Sequence, residues 1–141
     1  MLKKESQLLC SDLCARLPYG VICRTIVGDY RLLGIDFDRE AYRFDSPIYE
    51  EGDDIFDFQH GGVKPYLRPM SSMTTKEWCE YSNSVIEDDK SAILVGNTYR
   101  FVPTKHREDW LNAHHLDYNG LIEKGLALPA PDGMYQTINN N

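Results

Sequence analysis

The sequence lacks long hydrophobic runs. Its longest uncharged apolar runs, such as residues 92–95, are far shorter than the ~20 residues of a membrane-spanning helix. The beginning, MLKKESQLLC, also lacks the roughly 7–15 apolar residues of a secretory signal. We therefore expect a cytoplasmic protein without a membrane segment.

Cysteine is also scarce, with four in 141 residues and no CxxC pair. Cys10 and Cys14 are spaced for one face of a helix, Cys23 lies in a strand-like run, and Cys79 follows a tryptophan. This irregular spread does not fit a zinc cage, and disulfides are not favoured without a secretory signal. We expect free thiols, no structural metal and no cofactor.

The common catalytic signatures GxSxG, HExxH and GxxxxGK[ST] are missing as well. A basic surplus is missing too, because the net charge is −7. Residues 36 to 57 include nine acidic residues and two arginines, and this difference accounts for the whole net charge of −7. Such a segment repels phosphate, so direct nucleic-acid binding is disfavoured. It is either a set of solvated hairpin edges or an acidic interaction face for a basic protein partner. The face that we expect contains Asp36, Asp38, Asp53, Asp54 and Asp57.

The first half of the chain predicts one helix and several strands. Leu9, Leu13 and Leu17 recur at helical spacing before Pro18. Residues 20–27 and 30–37 read as antiparallel strands around a Gly28-Asp29 turn, and residues 41–58 as short edge strands. Two prolines, at 65 and 69, exclude a central strand and predict an extended connector or an edge segment.

The clearest local signal is a capping box formed by Thr74 and Glu77, with a hydrophobic staple between Met73 and Trp78. It predicts a helix from residue 75 to about residue 87. The stretches SAILV and TYRFV read as strands around a Gly96-Asn97 turn. We expect Trp78 and Trp110 to anchor the core.

The stretch DWLNAHHLDYNGLIEKGLAL, at 109–128, reads as two joined helices. Thr104 can cap the first, which runs to about His115, and Asn119 can cap the second, which spans 120–124 and is closed by Gly125. Strands and helices without regular alternation indicate an α+β fold. We expect a single domain over 1–128, with a small antiparallel sheet and three to four helices, followed by a C-terminal tail over 129–141.

His114, His115 and Asp117 are the first candidate site. Adjacent histidines on a helix point about 100° apart, so they do not easily share a metal ion. We expect one histidine to pack into the core and the other to cap the helix C-terminus. The alternative is a metal-dependent enzyme in which these residues meet the carboxylates of Asp36 and Asp38, which we expect on one face of a strand because they are two residues apart.

Lys64, Tyr66 and Arg68 flank the two prolines and form a second candidate binding site on an ordered loop. Lys64 and Arg68, with Lys105 and Arg107, could also contact nucleic acid, although the net charge opposes this. Nine tyrosines against five phenylalanines suit a protein interface, because the tyrosine ring buries well and its hydroxyl tolerates water.

Three stretches, LPYGV, KPYLRPMSSMT and the 109–128 segment, resemble a group of small proteins from Bacteroides-type gut bacteria, their phages and their prophages. The likeness covers about half of the chain. The resemblance implies a cytoplasmic, phage- or prophage-associated accessory protein and supplies no catalytic residues. We therefore expect a small acidic protein that acts through protein contacts, with homo-oligomers as an open alternative.

Overall fold

The computed structural model describes residues 3–45, 56–58, 62–88, 93–95, 98–100 and 105–135. These residues form the expected α+β fold, with one five-stranded sheet of order β3-β2-β1-β4-β7 and a separate β5-β6 hairpin. Every pairing in the large sheet is antiparallel except that of β4 with β7. The helices are α1 (Lys3–Arg16), α2 (Thr75–Asp88) and α3 (Lys105–Ala113), and the strands are β1 (Ile22–Thr25), β2 (Gly28–Asp36), β3 (Ala41–Phe44), β4 (Lys64–Leu67), β5 (Ile93–Val95), β6 (Thr98–Arg100) and β7 (Leu128–Pro129).

The α1 helix forms where the leucine spacing predicts it. Leu9 and Leu13 are buried in a core cluster that also includes Cys23 and Leu32 of the sheet. The α-helix ends at Arg16, and residues 17–20 make a short 3₁₀ turn that closes on Gly20 at a φ of 72°. Glycine adopts this left-handed conformation without strain, so the chain can turn from α1 into β1.

The turn between β1 and β2 lies two residues earlier than predicted. Thr25 pairs with Gly28, which leaves Ile26 and Val27 as the loop. The Thr25 hydroxyl donates to the Gly28 carbonyl (2.8 Å) and accepts from the Val27 N–H (3.2 Å). The prediction of a Gly28-Asp29 turn was wrong because this side-chain hydroxyl closes the turn from the preceding strand.

β4 lies inside the sheet, between β1 and β7, so the expectation that its prolines keep it from a central position was wrong. The Leu67 carbonyl accepts from the Ala130 N–H (2.8 Å) on the β7 side, and Pro65, two residues earlier, faces the same way. β7 begins opposite Tyr66. Because none of the described strands lies opposite Pro65 on that side, its missing N–H removes no ladder bond.

α2 begins with the predicted capping box. The Glu77 N–H donates to the Thr74 hydroxyl (3.1 Å), and the Glu77 carboxylate accepts from the Thr74 N–H (3.0 Å). Trp78, however, is 45% exposed, so its predicted role as a core anchor was wrong. Trp110 is half-buried in a small cluster with Met73 and Tyr81, apart from the main core.

The β5-β6 hairpin is present as predicted, while its Gly96-Asn97 turn and the Thr104 cap lie outside the described residues. α3 ends at Ala113, two residues before the predicted end. The predicted second helix at 120–124 is instead a series of turns that close on Gly125 at a φ of 74°. The prediction that Asn119 caps this segment was wrong, because the Asp117 carboxylate accepts the N–H groups of Leu121 and Ile122 instead.

All four cysteines are free thiols, as expected; Cys23 is buried, whereas Cys14 and Cys79 are exposed. Within the described part of the chain, no helix is long and apolar enough to cross a membrane.

Candidate binding cleft

A cleft of about 930 Å³ opens where three parts of the chain meet. The end of β4 and the start of α2 form one side, the end of α3 forms another, and residues 129–135 form the third. Its lining includes the polar residues Arg68, Glu77, His114, His115, Asp132 and Tyr135.

Arg68 and Glu77 form a bidentate ion pair on one side of the cleft. The two terminal guanidinium nitrogens of Arg68 each donate to the Glu77 carboxylate at 2.7 Å. Arg68 also donates to the side chain and the carbonyl of Ser72 at 3.3 Å. The hydrogen bonds from Arg68 lower the pKa of Glu77 to about 2, despite the opposing effect of burial. The two charges therefore neutralise each other at neutral pH.

His114 follows the last residue of α3 and stacks on Trp110, with ring centroids 3.8 Å apart and an interplanar angle of 17°. Its Nδ1 lies 2.9 Å from the Trp110 carbonyl oxygen. A carbonyl only accepts hydrogen bonds, so Nδ1 must carry the proton. His114 thus caps the end of α3, as expected for one of the two histidines.

His115 is the buried histidine of the pair, as expected, and is only 8% exposed. Its φ of 60° is left-handed, which is uncommon for a residue other than glycine. The backbone is held there because the His115 carbonyl accepts from the Arg68 N–H (2.7 Å) and its N–H donates to the Asn112 carbonyl (3.0 Å). The ring stacks on Tyr135 at 3.6 Å, away from the Trp110–His114 stack.

The environment of His115 keeps its imidazole neutral. Burial, followed by the positive charge of Arg16, lowers the pKa of His115 to about 4. Its Nδ1 is buried and has no hydrogen-bond partner among the described residues. A buried polar atom without a partner is unusual and calls for an explanation.

Tyr135 fastens residues 129–135 to the sheet. The register of Arg24 with Lys64 would place Ile22 opposite Tyr66 in the next rung between β1 and β4. The Tyr135 hydroxyl occupies that rung: it accepts from the Ile22 N–H and donates to the Tyr66 carbonyl, both at 2.8 Å. This segment, which we expected to begin a tail, therefore forms a wall of the cleft. Nothing near Tyr135 in the sequence indicates this role.

Asp117 stabilises the backbone. Its two carboxylate oxygens accept the N–H groups of Leu121 (2.8 Å) and Ile122 (3.0 Å). Arg16 donates to the neighbouring Leu116 carbonyl at 2.7 Å. The segment after α3 is thus held by side chains that bond to backbone groups.

The second predicted site, at Lys64, Tyr66 and Arg68, meets the cleft only at Arg68. Tyr66 is buried in β4 and donates to the Asp29 carboxylate (2.9 Å), and Lys64 lies on the same strand. Of the three predicted loop residues, Arg68 lines the cleft and the other two do not. The side chains of Lys105 and Arg107 fall outside the described residues.

The predicted acidic face is only partly described. Asp36 ends β2 and its carboxylate accepts the N–H groups of Asp38 and Arg39, both at 3.1 Å. Asp38 is exposed in the following turn, so the expectation that these two carboxylates share a strand face was wrong. The capping bonds of Asp36 end the strand before Asp38. Asp57 forms an isolated bridge with Ala41, and Asp53 and Asp54 lie outside the described residues.

No protein-family model, curated protein or solved structure matches this chain. In the described ranges, no group of three or more His, Cys, Asp or Glu residues is arranged to hold a metal ion.

Proposed function

We propose that this chain is an accessory protein that binds a partner protein, and that the partner docks in the cleft. The observation that supports this proposal is a cleft of about 930 Å³ whose strongest charges, on Arg68 and Glu77, are already paired. A cytoplasmic, phage- or prophage-associated setting belongs to the same proposal and rests on the sequence resemblance alone.

Two alternatives are less well supported by the contacts. A metal-dependent enzyme built on His114, His115 and Asp117 would have to release Asp117 from two backbone N–H groups. Nucleic-acid binding through Arg68 would have to break its bidentate bond with Glu77. Each change would leave polar groups without partners, which costs about 1–3 kcal/mol per group.

The proposal is tested by capture followed by reconstitution. The full chain is used to isolate partners from host cells, and the captured protein is then purified and titrated against three forms of the chain. The wild type is compared with Ala113→Trp, which places a large side chain at the cleft, and with Ser82→Trp on an exposed position of α2 away from it. Binding that survives in Ser82→Trp and is lost in Ala113→Trp supports the proposal.

Equal binding by all three forms would show that the partner docks elsewhere. The acidic face of Asp36, Asp38, Asp53, Asp54 and Asp57 is then the next surface to test. Association through that face should be strongly slowed by salt, because opposite charges mainly accelerate encounter.

A further inference from the structure

The two histidines of the cleft have opposite hydrogen-bonding capacity. His114 uses Nδ1–H to bond the Trp110 carbonyl, so in the neutral ring Nε2 is an acceptor. His115 carries one proton, and a buried N–H without a partner is rarer than a buried acceptor without one. Because its buried Nδ1 has no partner, the proton belongs on Nε2, which makes His115 a donor. Both histidines line the cleft, so the cleft contains one acceptor, on His114, and one donor, on His115.

The charges at the cleft favour an uncharged ligand. Arg68 is the only Lys or Arg among the described lining residues, and its guanidinium is already bound to Glu77. Asp132 is exposed on the opposite wall and adds negative charge. A phosphate or carboxylate would therefore meet a net negative site without a cation to receive it.

The remaining lining fits a polypeptide. A peptide amide presents one N–H and one C=O, which match an acceptor and a donor. Tyr19, Pro129 and Pro131 supply apolar surface for neighbouring side chains. A nucleobase edge also offers both groups, but a nucleic acid brings phosphates to a chain with a net charge of −7.

We propose that the cleft binds an uncharged, extended peptide segment of the partner, and that His114 accepts and His115 donates a hydrogen bond to its backbone amides. This inference rests on the proposed function, because it assigns the ligand chemistry of the same cleft.

The first test measures the tautomers directly. Two-bond ¹H–¹⁵N correlation spectra of the full chain at pH 8 distinguish the protonated nitrogen of each neutral imidazole. We expect Nδ1–H for His114 and Nε2–H for His115. The opposite tautomer at either residue would overturn the proposal.

The second test uses small probes in place of the unidentified partner. N-acetylglycine N-methylamide, acetate, inorganic phosphate and adenosine are each titrated into ¹⁵N-labelled protein. We expect the blocked glycine alone to shift the amide signals of Ala113, Ala130 and Gly133 in a saturable manner. Stronger shifts with acetate or phosphate would assign an anion site, stronger shifts with adenosine would assign a nucleobase site, and no shift with the blocked glycine would also overturn the proposal.

A variant then tests the proposed acceptor. His114→Phe preserves an aromatic ring to stack on Trp110 but removes both ring nitrogens. We expect it to bind the blocked glycine about threefold to tenfold more weakly, which is the usual net effect of one hydrogen bond. Ser82→Ala, on the exposed face of α2, should bind as the wild type does. Unchanged affinity in a folded His114→Phe protein would rule out the acceptor role.

The two proposals can fail separately. If Ala113→Trp abolishes partner binding but the blocked glycine has no effect, the cleft is the docking site and the ligand chemistry is wrong. If the blocked glycine binds but Ala113→Trp leaves partner binding intact, the amide site stands and the proposed function is wrong.

Discussion

Two arginine–carboxylate pairs in this molecule have opposite surroundings. Asp12 and Arg16, one turn apart in α1, are both fully buried, with 2.8 Å between the nearest nitrogen and oxygen. Arg68 and Glu77 are 24% and 18% exposed at the cleft, with a separation of 2.7 Å. The distances are nearly equal, so the difference between the pairs lies in their solvation.

The buried pair carries a desolvation penalty and has a structural role. Burial raises the pKa of Asp12, although the charge of Arg16 acts to lower it. Arg16 also bonds the Leu116 carbonyl, and its second terminal nitrogen is buried without a partner. In the pair at the cleft, the pKa of the carboxylate shifts in the opposite direction, because hydrogen bonds from Arg68 lower the pKa of Glu77 to about 2. The first pair anchors the segment after α3 to α1, and the second shapes the cleft.

The largest expected effect comes from breaking the buried pair. Arg16→Met should lower the free energy of unfolding by about 3–5 kcal/mol, because Asp12 would remain buried without its counter-charge. Urea unfolding monitored by circular dichroism measures the change. The double variant Asp12→Leu, Arg16→Met should lose less than the single variant, since no charge is then stranded. A double variant that is less stable than the single one would contradict this account of the pair.

An intermediate effect is expected from pH at His115, which lies between the two pairs. Its folded pKa of about 4 is below the ordinary value of 6.5, so the unfolded chain binds more protons between these values. Stability should therefore fall as the pH drops from 6.5 to 4, by up to about 3 kcal/mol. The raised pKa of Asp12 acts in the opposite direction and offsets part of this loss.

His115→Asn isolates the histidine contribution, because asparagine does not titrate and tolerates a left-handed φ. Stability is measured by urea unfolding at intervals across the same pH range. The variant should show a smaller loss than the wild type. Parallel curves for the two proteins would mean that His115 is not the group responsible.

The smallest effect is expected at the partly exposed pair of Arg68 and Glu77. Glu77→Gln should cost about 1 kcal/mol at pH 7, because it weakens a capping box and a partly solvated ion pair. Since the pKa of Glu77 is depressed, its contribution is present above pH 4.5 and is lost as the pH falls through about 2. The stability difference between wild type and variant should shrink over that range. Glu80→Gln, on an exposed position of the same helix, is the control. A cost as large as that of Arg16→Met would remove the contrast between the pairs.

The elements whose hydrogen bonds are local could be predicted from the amino-acid sequence. The leucine spacing of α1, the Thr74–Glu77 box of α2 and the α+β class were all predicted, because each depends on residues within a few positions or on overall periodicity. The sequence also predicted one capping and one buried histidine, but His114 and His115 both lie after the end of α3, so helix geometry does not account for the divergence of their rings.

Other features depend on contacts between distant parts of the chain. Pro65 fits inside the sheet because no described strand lies opposite its nitrogen, and Trp78 is exposed because α2 packs on Trp110 of α3 through Tyr81 instead. One wall of the cleft is held in place by the Tyr135 hydroxyl, which bonds to Ile22, a residue 113 positions away in the sequence. Residues so far apart leave no periodic signal, because their contact depends on how the whole chain packs and not on the spacing of their neighbours.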